Sequence, residues 1–138
     1  SSGYKYQLKK QYIVEVSIPT PTDIDLQFIG LSRSGFLSIK NGYAWDGPSG
    51  PTFDTVNFIR GSLVHDALYQ LMRDGFIDAN IYREKADRLL QQYCLEDGMS
   101  RIRAWWVYQS VRFFGASAAE PIMKKDIKYA PKRANALS

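Results

Sequence analysis

The sequence LVHDALYQL, residues 63–71, has the apolar spacing of a helix that packs against a protein core. Its leucine, valine and alanine side chains recur three and four positions apart, as on one face of an α-helix. His65 and Asp66 stand beside that apolar stripe, and His65 is the only histidine in the chain. Tyr69 follows His65 by four residues, so the two rings lie over the same part of the helix surface. The segment predicts a helix that carries a polar group next to the core.

Local signals predict three helices in this half of the chain. The first begins after Asp54 or Thr55, either of which can cap a helix, and runs to about Arg73. The second covers residues 79–96 and the third about residues 100–114. Both have apolar residues at helical spacing, and a glycine follows the end of each. The link between them, DGMS, is short, so these two helices should be antiparallel neighbours.

Residues 4–45 favour β-strands, because YIVEVSI and FLSIKNGYAW are rich in β-branched and aromatic residues. The segment PTPTD should be a loop, and SRSG at residues 32–35 resembles a hairpin turn. The predicted fold class is α+β, with N-terminal antiparallel strands packed on a C-terminal three-helix unit. We expect one domain over residues 1–138, with a helical part at 56–115 and a basic tail at 120–138.

Composition limits the function classes. The chain has 138 residues, 45% of them hydrophobic and 23% charged, as is typical of one packed soluble domain. A single cysteine, Cys94, excludes an intrachain disulfide. No apolar run approaches the roughly 20 residues that span a bilayer, and no signal peptide is visible. The net charge of +4 is modest, and the basic pairs of the tail lack interleaved aromatic residues, so nucleic acid is an unlikely partner.

The third predicted helix contains the aromatic run RAWWVYQSVRFFG. Tryptophan beside arginine suggests contact with a membrane surface, because such residues favour the interface between water and lipid. Apolar residues surround much of this helix, however, which favours burial against both the strands and the second helix.

Three acidic residues can approach His65. Asp87 lies at the edge of the apolar stripe of the second helix, so it should face His65 directly. We expect its carboxylate within direct or water-bridged hydrogen-bond reach of a His65 ring nitrogen, with the Tyr69 hydroxyl nearby. Asp46 belongs to the loop WDGPSG, whose glycines allow backbone carbonyls to turn inward. A loop carbonyl and the carboxylates of Asp46 and Asp66 would suit a hard cation.

The order of DGPS, HDALY and ADR in this chain resembles prokaryotic-type secreted phospholipase A2. The resemblance covers about residues 43–94 and implies a calcium-dependent hydrolase of acyl esters. The residues that match the family's motif would have the following roles: His65 as general base, Asp87 as the residue that orients it, Tyr69 as support for Asp87, and Asp66, Asp46 and the Gly47 carbonyl as calcium ligands. The implied partner is a phospholipid or another ester, with a membrane surface as a further possibility.

The strand-rich start and three helices also resemble a group of small uncharacterised proteins common in bacteriophage genomes. That resemblance implies a phage-encoded protein in the host cytoplasm or the phage particle, with phage structural proteins as candidate partners. It leaves open a non-catalytic virion or assembly protein whose His/Asp cluster is a structural network. A peptidoglycan-directed hydrolase is a further alternative.

Each site residue also has a simpler interpretation. A single histidine beside an apolar stripe is more often a packing residue than a catalyst. Asp87 can pair with Arg83 one turn earlier on the same helix. Ser49 lies close enough to suggest a serine triad, but its surroundings lack the strand-turn-helix pattern of a nucleophile elbow.

Overall fold

The computed structural model describes residues 6–45 and 56–121. Within these two ranges, six short strands precede four helices, which confirms the predicted α+β class. The strands are β1 (Tyr6–Gln7), β2 (Tyr12–Glu15), β3 (Ile24–Asp25), β4 (Ile29–Leu31), β5 (Phe36–Ile39) and β6 (Ala44–Trp45). The helices are α1 (Val56–Arg73), α2 (Ala79–Glu96), α3 (Arg101–Phe114) and α4 (Ala116–Ala119).

The strands form two antiparallel sheets. In the larger one the order is β2-β5-β4-β3, and in the smaller one β1 pairs with β6. The predicted turn at residues 32–35 joins β4 to β5, and Gly35 has a φ of 92°, which glycine adopts without strain. The larger sheet has one apolar face, because alternate residues of each strand point to the same side. Leu37 and Ile39 of β5 are fully buried on that face.

Helix α1 lies at the centre of the structure. It is buried on most of its circumference, and most of its core residues form one cluster with the apolar face of the larger sheet. The smaller sheet is fixed to the same helix, because the indole N–H of Trp45 donates to Ser62 Oγ over 3.0 Å. Arg60 joins α1 to the end of α2 through ion pairs with Glu96 at 2.8 Å and Asp97 at 3.0 Å. These contacts hold the helix that carries His65 against both of its neighbours.

Helices α1, α2 and α3 pack as successive antiparallel neighbours. Residues near the start of α1 contact the end of α2, and Tyr69 further along α1 reaches Asp87 nearer the start of α2. Ser100 caps α3 by accepting a hydrogen bond from the Arg103 N–H, which fixes the start of that helix after the short link.

The burial of α3 differs from the sequence expectation. Only Ala104 and Val107 of this helix are buried, and both belong to a small cluster with side chains of α1 and α2. Trp105, Trp106 and Phe113 are exposed instead. The expectation of burial against both the strands and α2 was therefore wrong, because α3 lies on the outer side of α2 and presents one narrow face to it. None of the helices described is long and apolar enough to cross a membrane.

Candidate functional site

The buried carboxylate of Asp87 lies at the centre of the candidate site. Its side chain has no exposed surface. Oδ1 lies 2.7 Å from His65 Nε2 and accepts a hydrogen bond from the Tyr69 hydroxyl over 2.6 Å. Oδ2 accepts a hydrogen bond from Arg112 Nη1 over 2.8 Å. The predicted contact of Asp87 with His65 and Tyr69 is thus confirmed, and we call these four residues the Asp87 cluster.

The electrostatics of the cluster keep Asp87 ionised. Burial alone would raise the pKa of Asp87, but hydrogen bonds from His65, Tyr69 and Arg112, together with electrostatic attraction to His65, outweigh burial and hold that pKa below its ordinary value. Burial and the hydrogen bond to Asp87 raise the pKa of the Tyr69 phenol, so the phenol stays protonated. Burial lowers the pKa of Arg112, yet the hydrogen bond to Asp87 and the attraction of Asp87 and other nearby side chains together outweigh burial and raise that pKa overall. The centre of the cluster is therefore a carboxylate beside a guanidinium.

The ionised state of Asp87 decides which ring nitrogen of His65 carries the proton. A carboxylate can only accept hydrogen bonds, so His65 Nε2 must be the donor in their contact. In the neutral ring Nδ1 is then left with a free lone pair. Within residues 6–45 and 56–121 no side chain or carbonyl donates to or accepts from Nδ1. The arrangement gives His65 a basic nitrogen directed away from Asp87.

The Tyr69 ring covers one face of the imidazole, with the two ring centroids 4.1 Å apart and an interplanar angle of 34°. The imidazole keeps limited contact with solvent, because 13% of the His65 side chain is exposed. A ring held by a hydrogen bond at Nε2 and by a stacked phenol has little freedom to rotate. His65 is thus held in one orientation, as a general base requires, and a small part of its side chain is exposed.

Sequence reasoning missed the role of Arg112. It considered only Arg83 as an arginine partner of Asp87, and Arg83 Nη1 does lie at an ion-pair distance of 4.0 Å from Asp87 Oδ2, which is longer than the contact of Arg112. The Arg83 guanidinium also donates to the carbonyl oxygens of Val111 at 3.3 Å and Arg112 at 3.1 Å, near the end of α3. Arg83 therefore fixes the end of α3, and that placement brings Arg112 to the carboxylate.

Gly115 is a second residue whose importance the sequence did not indicate. A Cβ atom at this position would lie 2.6 Å from the Tyr69 hydroxyl oxygen and 3.1 Å from Tyr69 Cε2. It would also collide with the Val111 carbonyl oxygen. Glycine is thus favoured here because the Val111 carbonyl oxygen and the Tyr69 side chain both pack against this position, not because of an unusual backbone angle, since φ is −82°.

The predicted calcium ligands are divided between two parts of the chain. Asp46 and Gly47 lie outside the described residues. Asp66 is half-buried on α1, where its Oδ2 accepts a hydrogen bond from the Tyr43 hydroxyl over 2.6 Å. Its carboxylate supplies the hard oxygen that calcium prefers. Among the residues described here, no three histidine, cysteine or acidic side chains lie close enough together to hold a metal ion. A calcium site at Asp66 would therefore depend on ligands from the loop.

Comparison with known proteins gave one match. The model of a family described as "Protein of unknown function (DUF1353)" matches residues 24–111, which is more than half of the chain. The matched range contains His65, Tyr69 and Asp87 and ends one residue before Arg112. Neither the curated proteins nor the solved structures gave a match. The expected resemblance to a group without known activity is confirmed to that extent.

Proposed function

Because the chain belongs to the DUF1353 family, whose description assigns no activity, we propose a function from the geometry of its own site. The proposed activity is hydrolysis of an acyl ester, with His65 as the general base that activates water. The observation that carries this proposal is the 2.7 Å contact of His65 Nε2 with the buried, ionised Asp87. That contact leaves Nδ1 as the proton acceptor.

The reaction needs no covalent intermediate. Water held at His65 Nδ1 loses a proton to the ring as its oxygen attacks the ester carbonyl carbon. Asp87 then stabilises the imidazolium, which can donate two hydrogen bonds, one of them to Oδ1. When the tetrahedral intermediate collapses, the ester C–O bond breaks and Nδ1 returns the proton to the leaving oxygen. The products are a carboxylic acid and an alcohol, and His65 is restored.

Calcium forms the second part of the proposal. Asp66, together with Asp46 and the Gly47 carbonyl, would hold the ion. Bound calcium supplies Lewis-acid stabilisation of the negative charge that develops on the carbonyl oxygen. The half-buried carboxylate of Asp66 supports this assignment, because it supplies the hard oxygen that calcium prefers.

The proposed substrate is a phospholipid, as the likeness to prokaryotic phospholipase A2 suggests, and the proposed source is a phage genome. The direct test incubates the full chain with vesicles of phosphatidylglycerol and phosphatidylethanolamine, with calcium or with a chelator. Mass spectrometry would measure the released fatty acid and lysophospholipid. We expect calcium-dependent release that His65→Gln lowers by about 10²-fold or more. Asp74→Asn, at an exposed acid beyond the end of α1, should keep the wild-type rate.

A separate measurement tests the calcium site without relying on activity. Calcium should raise the melting temperature, because an ion that binds only the folded state stabilises it by about 2.7 kcal/mol at 100 times its Kd. Asp66→Asn should remove most of that shift, whereas Asp74→Asn should retain it. If titration calorimetry detects no binding to the wild type at millimolar calcium, the metal assignment is wrong.

One observation favours a non-catalytic alternative. Asp87 receives hydrogen bonds from α1 and α3 while it lies on α2, so the cluster joins three helices. Such a network could serve as a structural clamp in a virion or assembly protein. In that case neither phospholipid nor peptidoglycan is hydrolysed, and His65→Gln lowers only the free energy of unfolding.

A further inference from the structure

Helix α3 presents a row of large apolar side chains to solvent. One face of the helix carries Ile102, Trp105, Trp106 and Phe113, and we call it the α3 aromatic face. Trp105 and Trp106 follow Ile102 by three and four positions, and Phe113 follows Trp106 by seven, so all four side chains lie on the same side. The exposed fractions are 75% for Ile102, 56% for Trp106 and 79% for Phe113. The two indole rings contact each other edge to face, with centroids 4.9 Å apart. A row of this kind on a surface usually marks a binding site.

The opposite face of α3 already supplies the contacts that the fold needs. Ala104 and Val107 are buried against α1 and α2, and Val111 packs partly against the same cluster. At about 100° of rotation per residue, these three positions lie roughly opposite the α3 aromatic face. The exposed row is therefore not required for packing within the described part of the chain.

The charges around this row identify its partner. α3 carries three arginines and no acidic residue. Arg101 and Arg103 lie on opposite flanks of the α3 aromatic face, as the helical rotation requires. A second copy seated on the same face would bring arginines together without a compensating acid on either helix. An anionic lipid surface offers a phosphate for the exposed Arg101 and a lipid interface for the indoles.

We propose that the α3 aromatic face binds the surface of an anionic phospholipid bilayer. In the bound state α3 would lie in the plane of the interface, with Trp105 and Trp106 at the level of the headgroups and Phe113 in the acyl region. A shallow, open groove, lined mainly by Trp106, Phe113, Phe114 and Arg112, runs along the same helix. Arg112 also contacts Asp87, so the bilayer would lie beside the Asp87 cluster.

This inference goes beyond the proposed ester hydrolysis, because membrane binding needs neither His65 nor a metal. The test measures binding of the full chain to vesicles of mixed phosphatidylglycerol and phosphatidylcholine by co-sedimentation, with a chelator present. Vesicles of phosphatidylcholine alone provide the comparison. We expect strong binding to the anionic vesicles, weak binding to the neutral ones, and a blue shift of the tryptophan emission. The His65→Gln variant should bind as the wild type does.

Matched substitutions locate the binding surface. Ile102→Ser and Trp106→Ser should each weaken binding by roughly tenfold or more, because they remove apolar area that would enter the interface. Ile81→Ser is the control, since Ile81 is a helical isoleucine with 64% exposure that lies on α2. Arg101→Glu should weaken binding strongly, whereas Arg33→Glu, with the same change of charge on the β4–β5 turn, should not. Unchanged melting temperatures would establish that the variants fold.

Three results would overturn the inference. The first is absence of binding to anionic vesicles by the wild type. The second is equal weakening by Ile81→Ser and Ile102→Ser. The third is a wild type that dimerises with increasing concentration but does not bind vesicles, together with loss of the dimer in Trp106→Ser. That result would assign the α3 aromatic face to a second copy of the chain.

Discussion

Arg112 and His65 bind opposite oxygens of one buried carboxylate, Arg112 Nη1 at 2.8 Å from Asp87 Oδ2 and His65 Nε2 at 2.7 Å from Oδ1. The arginine thus neutralises Asp87 whether or not His65 is protonated. Asp87 therefore has a charged partner on α3 as well as a hydrogen-bond partner on α1.

The first prediction concerns acid stability. The depressed pKa of Asp87 stabilises the fold fully above its ordinary value of 3.8, and this contribution is lost as the pH falls towards the folded-state pKa. Asp87→Asn should lower the free energy of unfolding by about 3 kcal/mol near neutral pH, because it leaves Arg112 without its partner. Below about pH 3.8 the difference from wild type should shrink. Denaturant titrations at several pH values would measure it.

Glu84 and Glu96 also have depressed pKa values, each because of a hydrogen bond from an arginine, so the wild type loses stability in acid for several reasons. Both residues remain in the Asp87→Asn variant, and the difference between the two proteins therefore isolates Asp87. A difference that stays constant from about pH 6 to pH 3 would contradict the assignment of an ionised Asp87.

The second prediction concerns Arg112. Arg112→Met removes the charge and the hydrogen bond but keeps most of the apolar stem, so the free energy of unfolding should fall by about 1–2 kcal/mol. Arg101→Met is the matched control, because Arg101 is an exposed arginine on the same helix. It should cost little. Equal losses for the two variants would mean that the contact of Arg112 with Asp87 contributes nothing specific.

The third prediction concerns Gly115. Gly115→Ala should cost about 1–3 kcal/mol, as is usual when a methyl group is forced into a packed region. The cost should be smaller in a Tyr69→Phe background, because the closest side-chain atom, the Tyr69 hydroxyl oxygen, is then missing. A double-mutant cycle of denaturant unfolding measures this coupling. Strictly additive costs would show that Gly115 is not required by Tyr69.

The helices were predictable because their ends are marked locally. The second helix was predicted at residues 79–96 and is found at Ala79–Glu96. Gly75 and Gly98, which follow α1 and α2, have φ values of 81° and 101°, where glycine is favoured. Helix α4 was not predicted, because four residues are too few to show a helical period.

The sequence predicted only those residues of the Asp87 cluster that lie on the two neighbouring helices α1 and α2. His65, Tyr69 and Asp87 follow from α1 and α2 being antiparallel. The contact of Arg112 with Asp87 depends on the placement of α3 as well. The sequence gives one hint, because Asp87 lies 10 residues before the DGMS link and the position equally far beyond that link is residue 110. Arg112 is two residues away. The exposed face of α3 could not be predicted, because apolar residues around most of a helix do not indicate which side is covered.

The fourth prediction concerns the tautomer of His65, on which the proposed role as general base depends. Since His65 is the only histidine, a long-range ¹H–¹⁵N spectrum of the labelled protein contains one imidazole pattern. In the neutral ring we predict the proton on Nε2, hydrogen-bonded to Asp87, and a bare Nδ1. A neutral ring with its proton on Nδ1 would leave no base to activate water and would contradict the account.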